Sequence, residues 1–386
     1  MYDKFQPIRP YTEAAALEAM PHFAADPEFA KALKLIKPEV TVETIQQELK
    51  QATSVEDFQH IVAKRFMEFF ISDSTHGLTC SGIENINREE CYLFIANHRD
   101  IVLDSALLHY YFFSNNFNSA QIAIGDNLLY SNALKECARL NKMFLVKRSV
   151  TLREKLVNFQ LLSDYIACSL LENHESVWIA QGNGRAKNGI DQTQQGLVKM
   201  ITMSGKNQDL LPYLKKLKIV PVSISYEYES CDQLKAREKA LSKAGNYVKA
   251  PDEDFNSIKQ GLFGQKGRVN IAIGTPIGQE LDAINPQLSN NDKIVEVCRI
   301  IDRQIYQNYK LYPNNYIAYD YSEQSSKFSD QYTPQQKEDF LKYLMKKSIV
   351  PDVEPDAIFE NLLNIYGNPV KTCLLGEIFA EENEVG

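Results

Sequence analysis

Between Tyr92 and about Pro276 the sequence repeats one pattern, a short apolar run rich in β-branched residues followed by a longer stretch with helical spacing. The runs are CYLFIANH, AQIAIGD, MFLVKRS, SVWIAQGNG, KIVPVSISY and RVNIAIGTPI. Strands this apolar need cover on both faces, and the helical stretches between them supply it. The pattern therefore predicts an α/β fold, with a mostly parallel central sheet flanked by helices. A chain of 386 residues, 44% of them apolar, can bury a core of that size.

The flanks read differently. From Tyr11 to about Ser72, EAAALEAMPHFA, EFAKALKLI, VETIQQELKQA and VEDFQHIVAKRFMEFFI have helical periodicity, with Pro21, Pro27 and Pro38 as punctuation. This predicts a small helical N-terminal unit over 1–75, an α/β domain over 76–320 and a helical acidic C-terminal tail over 321–386. Within the α/β domain a helix is expected around Lys293 to Tyr309, followed by the Tyr-, Asn- and Ser-rich LYPNNYIAYDYSEQSS.

A net charge of -8 argues against a general nucleic-acid binder. The 7 cysteines stand singly, without C-x-x-C pairs or histidines at zinc spacing, so they read as reduced thiols of a cytoplasmic protein. No metal or organic cofactor is expected. The start of the chain lacks a basic-then-apolar signal pattern, and no run of about 18 uncharged apolar residues offers a membrane span. Any membrane contact would then be peripheral, through an aromatic or amphipathic face such as FQHIVAKRFMEFFI (Phe58 to Ile71) or HYYFFSNNF (His109 to Phe117).

The chemistry starts at FIANHRDIVLD, where His98 and Asp104 follow an apolar strand. At the carboxyl edge of a sheet, with a helix starting near Asp100, Asp104 can accept a hydrogen bond from one imidazole nitrogen and leave the other free as a base. The alternative is structural, with His98 capping the helix or pairing with Asp100. No Ser or Cys stands in a nucleophile setting, so a substrate hydroxyl would be the nucleophile. Two basic clusters follow at strand ends: Lys147 and Arg148 after MFLV, and Arg185 and Lys187 in the glycine-rich turn QGNGRAKNG, with Gly184 at its centre. Glycines admit an anion to the backbone and the cations supply charge, which suggests one phosphate pocket at the ends of neighbouring strands. IVPVSI reads as a buried strand bent at Pro221.

Taken in order, these four stretches resemble the glycerolipid acyltransferases, the family of glycerol-3-phosphate and 1-acylglycerol-3-phosphate acyltransferases. The family's first block, N-H-x-x-x-x-D, is matched by Asn97, His98 and Asp104. The resemblance implies that His98 is the general base, that Asp104 orients it, and that Lys147, Arg148, Arg185 and Lys187 hold the acceptor's phosphate. The third block usually reads E-G-x-R. Here Gln181 or Asn183 stands in place of the Glu, and WIAQGNGR is similar to the plant plastid enzymes, whose block also lacks it. IVPVSI matches the V-P-V block associated with the acyl side.

The implied reaction moves a fatty acyl group from an acyl-CoA or acyl-carrier-protein thioester to a hydroxyl of glycerol-3-phosphate or a lysophospholipid, with the oxyanion held by backbone N–H groups near Asn97. The implied location is cytoplasmic, with peripheral contact at the inner face of a membrane. YLKKLK (Tyr213 to Lys218) is a candidate dock for an acidic carrier protein. Two other readings remain at this stage: an acyltransferase for an amino-acid-containing lipid, and a non-catalytic acyl-thioester or lipid-binding protein.

Overall fold

A computed structural model describes residues 2–35, 41–148 and 151–384. Pro38 and Ser149 lie outside them.

Seven strands form one sheet in the order β1-β7-β6-β2-β5-β3-β4. They are β1 (Leu78–Ser81), β2 (Leu93–Ala96), β3 (Gln121–Gly125), β4 (Met143–Val146), β5 (Val177–Ala180), β6 (Ile219–Tyr226) and β7 (Val269–Ile273). Every pairing is parallel except β6 with β7, which is antiparallel. The expected α/β fold is therefore present, with one more strand than the six apolar runs. Thr79 and Ser81 make β1 too polar to stand out, and it lies at the sheet edge, half covered.

Side chains alternate between two cores, as the two-residue period of a strand requires. Leu93, Ile95, Val177, Ile179 and Ile219 point to one face, against the helix Leu152–Leu171. Phe94, Ala96, Trp178, Val220, Val222 and Ile224 point to the other, against the helix Leu103–Ser114. β6 runs unbroken through Pro221, where a bend was expected. The ring removes one N–H, and Pro221 still accepts from Gly274 N–H at 2.8 Å.

The N-terminal helices have their own core, from Ala16, Met20, Phe23, Ile45, Leu49, Phe58, Val62 and Phe70. Pro21 does not punctuate as expected, because the helix Glu13–Ala24 runs through it near its last turn. Both aromatic segments read as membrane candidates turn apolar side chains inward: Phe58, Val62, Met67 and Phe70 in one, Phe112 and Phe113 in the other. Among the described residues no helix is long and apolar enough to cross a membrane.

Beyond β7, the helix Asn290–Asn308 closes the sheet. The Tyr- and Asn-rich stretch after it forms a further helix, Pro313–Ser322, because Pro313 opens it and Asn315 reaches back to the Tyr312 N–H at 2.9 Å. That helix packs with Pro334–Ser348 and Pro355–Glu384 around Ile317, Phe340, Leu344, Ile358, Leu362 and Tyr366, joined by Ala236 and Ala240 of the helix Asp232–Lys243. The last helix also reaches the carboxyl edge of the sheet. Gly189 (φ 79°) lies so close to it that a Cβ would meet the Ile365 carbonyl oxygen at 2.4 Å, and Asn368 donates to the Asn188 carbonyl at 2.7 Å.

Candidate active site

β2 ends at Ala96, and the turn beyond it delivers Asn97 and His98 before the helix Leu103–Ser114 begins. Asn97 does structural work: its side-chain oxygen accepts from Ile224 N–H at 2.7 Å and its amide donates to the Ile224 carbonyl at 3.0 Å. It thereby extends the β2–β6 contact past the end of the strand. Asp100, not His98, holds the turn into the helix, since its Oδ1 accepts from the Val102 and Leu103 amides, each at 2.9 Å.

His98 faces Asp104 instead. The Nδ1–Oδ2 distance is 2.8 Å, and the same carboxylate oxygen accepts from the backbone amides of Arg99 at 2.6 Å and Asp100 at 2.9 Å. Its other oxygen accepts from the Tyr226 hydroxyl at 2.8 Å. Burial and the carboxylate hold the Tyr226 hydroxyl far above its usual pKa, so it remains a donor. The Asp104 side chain is 0% exposed and that of His98 16%. Asp104 is thus fixed by four donors, Nδ1 of His98 is committed to it, and the only free imidazole nitrogen, Nε2, is the one a substrate can meet. His98 is thus paired with Asp104 and not with Asp100.

Arg99 holds the back of this turn. Fully buried, it donates to Asp191 Oδ2 from Nε at 3.0 Å and from Nη2 at 2.5 Å, to Glu229 at 3.3 Å and to the Gly189 carbonyl at 3.1 Å, with its guanidinium over the Tyr309 ring at 5.3 Å. Burial opposes its charge, but Asp191, Tyr309 and Glu229 outweigh burial and raise its pKa. Lys235, equally buried, pairs with Glu229 and donates to the Arg99 carbonyl at 2.6 Å. Burial pushes the Glu229 carboxyl upward against the pull of Lys235 and Arg99. One charge network therefore ties the His98 turn to the glycine-rich loop, through Gly189 and Asp191, and to the end of β6, through Glu229.

The basic residues fall unevenly. The loop after β5 lies directly against the His98 turn, since Ala186 N–H donates to the His98 carbonyl at 2.8 Å, and Arg185 precedes that contact. Arg185 is half-buried, and its Nη1 is buried with no hydrogen-bond partner. Lys187 is already paired with Glu238. Gly184 (φ 107°) supplies a left-handed turn that a side chain would strain. β4, carrying Lys147 and Arg148, is not the neighbour of β5 that the sequence suggested, because β3 lies between them. Arg148 leans back across the end of β3, where its backbone amide donates to Asp126 at 3.0 Å and its Nε lies 3.3 Å from where a Cβ on Gly125 would be.

Of the amides around Asn97, its own donates to Val222 and those of Arg99 and Asp100 serve Asp104. In the glycine-rich loop, Asn183, Gly184 and Ala186 N–H groups are also bonded internally, to Gln194, Gly182 and His98. The YLKKLK lysines sit at the opposite edge of the sheet, because Lys218 precedes Ile219, which pairs with Leu93 at the start of β2. Lys215 is bound to Asp282 at 2.5 Å and Lys218 to Glu90 at 3.0 Å. Of the two residues standing for the family's Glu, Gln181 is buried at the end of β5 with its Oε1 unpaired, and Asn183 is exposed in the loop.

Residues 77–225 match the family model described as Acyltransferase. Over that segment the chain is similar to the acyltransferases. All four motif blocks fall inside it, so the resemblance to the glycerolipid acyltransferases holds for the part of the molecule that contains the site. No curated protein matches the chain. Among solved structures, the 1-acyl-sn-glycerophosphate (LPA) acyltransferase PlsC from Thermotoga maritima is similar at 12% identity, over 75% of this chain and 97% of that one, with a TM-score of 0.38.

Sequence reasoning passed over Arg99, Asp191, Glu229, Lys235 and Tyr226. A signal existed for two of them. Arg99 sits inside the first motif, and Tyr226 ends an eight-residue strand that is buried throughout.

Proposed function

We propose that this acyltransferase moves a fatty acyl group from the thioester of acyl-CoA or acyl carrier protein to a hydroxyl of glycerol-3-phosphate or 1-acylglycerol-3-phosphate. The observation that carries the reading is the fixed His98–Asp104 pair, with Nε2 left free. Nε2 of His98 takes the proton of the acceptor hydroxyl as its oxygen attacks the thioester carbonyl carbon. The tetrahedral adduct collapses, the C–S bond breaks, and the same proton passes to the departing sulfur, so the products are an ester and a thiol. Asp104 keeps the ring in one tautomer and stabilises the imidazolium between the two transfers.

Arg185 is the cation best placed for an acceptor phosphate, since it sits in the loop against the His98 turn and one of its nitrogens lacks a partner. Lys147, Arg148 and Lys187 would add charge around it, Lys187 by releasing Glu238. Holding the phosphate turns a bimolecular encounter into a positioned one, which is worth more to the rate than the charge alone. The chain would work in the cytoplasm at the inner face of a membrane, where its lipid product belongs.

The test is thiol release from long-chain acyl-CoA and from acyl carrier protein, with glycerol-3-phosphate or lysophosphatidic acid as acceptor. Release that needs an acceptor and disappears in His98→Ala supports acyl transfer and names the acceptor. A folded protein that binds acyl thioester and releases no thiol with any pair would overturn it.

A further inference from the structure

β6 ends beneath the His98–Asp104 pair. Asn97 ties the His98 turn to both backbone groups of Ile224, so the register of the strand is fixed two residues before Tyr226. With the two-residue period of a strand, Tyr226 faces the same way as Val222 and Ile224, into the cluster that holds Leu103 and Leu107 of the helix bearing Asp104. Packing there asks only for an apolar ring. A tyrosine adds a hydroxyl that burial penalises unless it finds a partner. The partner it meets is Asp104 Oδ1 at 2.8 Å, with Tyr226 1% and Asp104 0% exposed.

The two carboxylate oxygens are loaded unequally. Oδ2 serves His98 Nδ1 and the amides of Arg99 and Asp100, whereas among the described residues Tyr226 is the one hydrogen-bond donor on Oδ1. The other charged groups of this region are turned elsewhere. The Arg99 guanidinium goes to Asp191 and Glu229, Lys235 goes to Glu229, and Asp100 takes the Ser230 hydroxyl and faces the Lys266 ammonium. From β5 the Trp178 ring meets the imidazole edge-on at 6.2 Å and brings no charge, and Arg185 is the cation at the start of the loop beyond it. Burial above all, then Asp104, Asp100 and Glu229, keep the Tyr226 hydroxyl protonated, so it can only donate to the carboxylate.

We propose that Tyr226 is a positioning residue that sets how firmly the His98–Asp104 pair holds a proton; its part in the reaction rests on the acyl-transfer reading. The pair carries one negative charge when His98 is a free base and none when the imidazole is protonated. A donor on Oδ1 stabilises the charged state more than the neutral one, and so keeps the base free. It also draws charge away from Oδ2, so the imidazolium formed during attack gives its proton up to the departing sulfur. Without the hydroxyl, Oδ1 is a buried acceptor with no partner. The pair then takes up its proton at higher pH, and both proton transfers suffer.

The test is Tyr226→Phe, which keeps the ring and removes only the hydroxyl; circular dichroism checks that the full chain folds. Two readouts are compared with wild type. One is the titration of His98 by NMR of ring-labelled histidine, its signal among the 6 histidines being the one missing in His98→Gln. The other is kcat/KM for thiol release against pH. In Tyr226→Phe the His98 titration and the acid limb of kcat/KM should both move up by roughly 0.5–1 pH unit, with the acceptor KM unchanged. In an Asp104→Asn background the same change should move the His98 titration no further, because the hydroxyl acts only through the carboxylate. A His98 titration that stays put in Tyr226→Phe overturns the proposal. So does a shift of equal size in the Asp104→Asn background, which would make it an effect of packing. If the titration moves as expected but wild type releases no thiol with any donor and acceptor, the acyl-transfer reading fails and the coupling through Asp104 stands.

Discussion

The two halves of the active site are built on opposite plans. On the side of the base, Asp104 accepts four hydrogen bonds and Arg99 behind it makes four more, all out of contact with water. On the side of the cations, Arg185 keeps an unpaired nitrogen, and Lys147 and Arg148 stand at an exposed strand end. A base must be oriented before the substrate arrives, because a misdirected ring costs rate at every turnover. A cation meant for a phosphate must instead be left short of partners, because a satisfied one has nothing to gain from an anion. The difference separates groups that define geometry from groups that wait for charge.

The largest expected effect breaks the first plan. Asp104→Asn should lower kcat by about 10²- to 10⁴-fold, since it removes the carboxylate that sets the His98 tautomer. The acceptor KM should change far less, and steady-state kinetics separates the two. A fall in kcat of under tenfold would mean that His98 does not act as a base. Arg99→Leu comes next. It strands Asp191 as a buried carboxylate and leaves Glu229 with Lys235 alone, and breaking such a network costs about 3–5 kcal/mol. Urea unfolding should show that loss, and the Asp191→Asn/Arg99→Leu pair should recover part of it.

The sequence made this contrast only half legible. Strand runs, the parallel sheet and the His98–Asp104 pair were readable because each depends on residues close in the chain. Arg99 lay inside the same motif, yet its partners Asp191, Glu229 and Lys235 come from three other segments, and only the sheet order brings them together. The same is true of the cations. Lys147 and Lys187 look alike in the sequence, but β3 separates their strands, and Glu238 holds one and not the other. The N-terminal aromatic helices carried a third lesson: an aromatic stripe alone cannot distinguish a membrane face from a private core, and Phe58, Val62 and Phe70 found the core.

The second plan is sharpened by comparing two cations in one loop. Arg185→Gln should raise the KM for a phosphate-bearing acceptor about tenfold, leave kcat within a factor of a few, and flatten the dependence on salt. Lys187→Gln should do much less. Its ammonium is already paired with Glu238 and about one-third of the side chain is exposed, so a change in binding of only about 0.2–1 kcal/mol is expected. Equal effects from the two would erase the distinction between a waiting cation and a satisfied one.

A pH-dependent effect concerns Asp302, which lies under the far end of the same loop and accepts from the Thr193 amide at 2.7 Å. Burial pushes its carboxyl up to about 7, the Thr193 bonds pull the other way, and Asp191 adds to the rise. An unfolded aspartate loses its proton near 4, so between about 4 and 7 the folded chain holds a proton that the unfolded chain has released. Stability from this group is therefore complete below pH 4 and is lost as pH rises through 7. Asp302→Asn keeps an oxygen for Thr193 but cannot ionise. Urea midpoints at pH 5 and pH 8 should show wild type gaining on the variant at the lower pH and falling behind at the higher. If the gap between the two proteins is the same at both, Asp302 is ionised throughout, and the loop beneath the cations carries a buried negative charge that Arg99 must balance through Asp191.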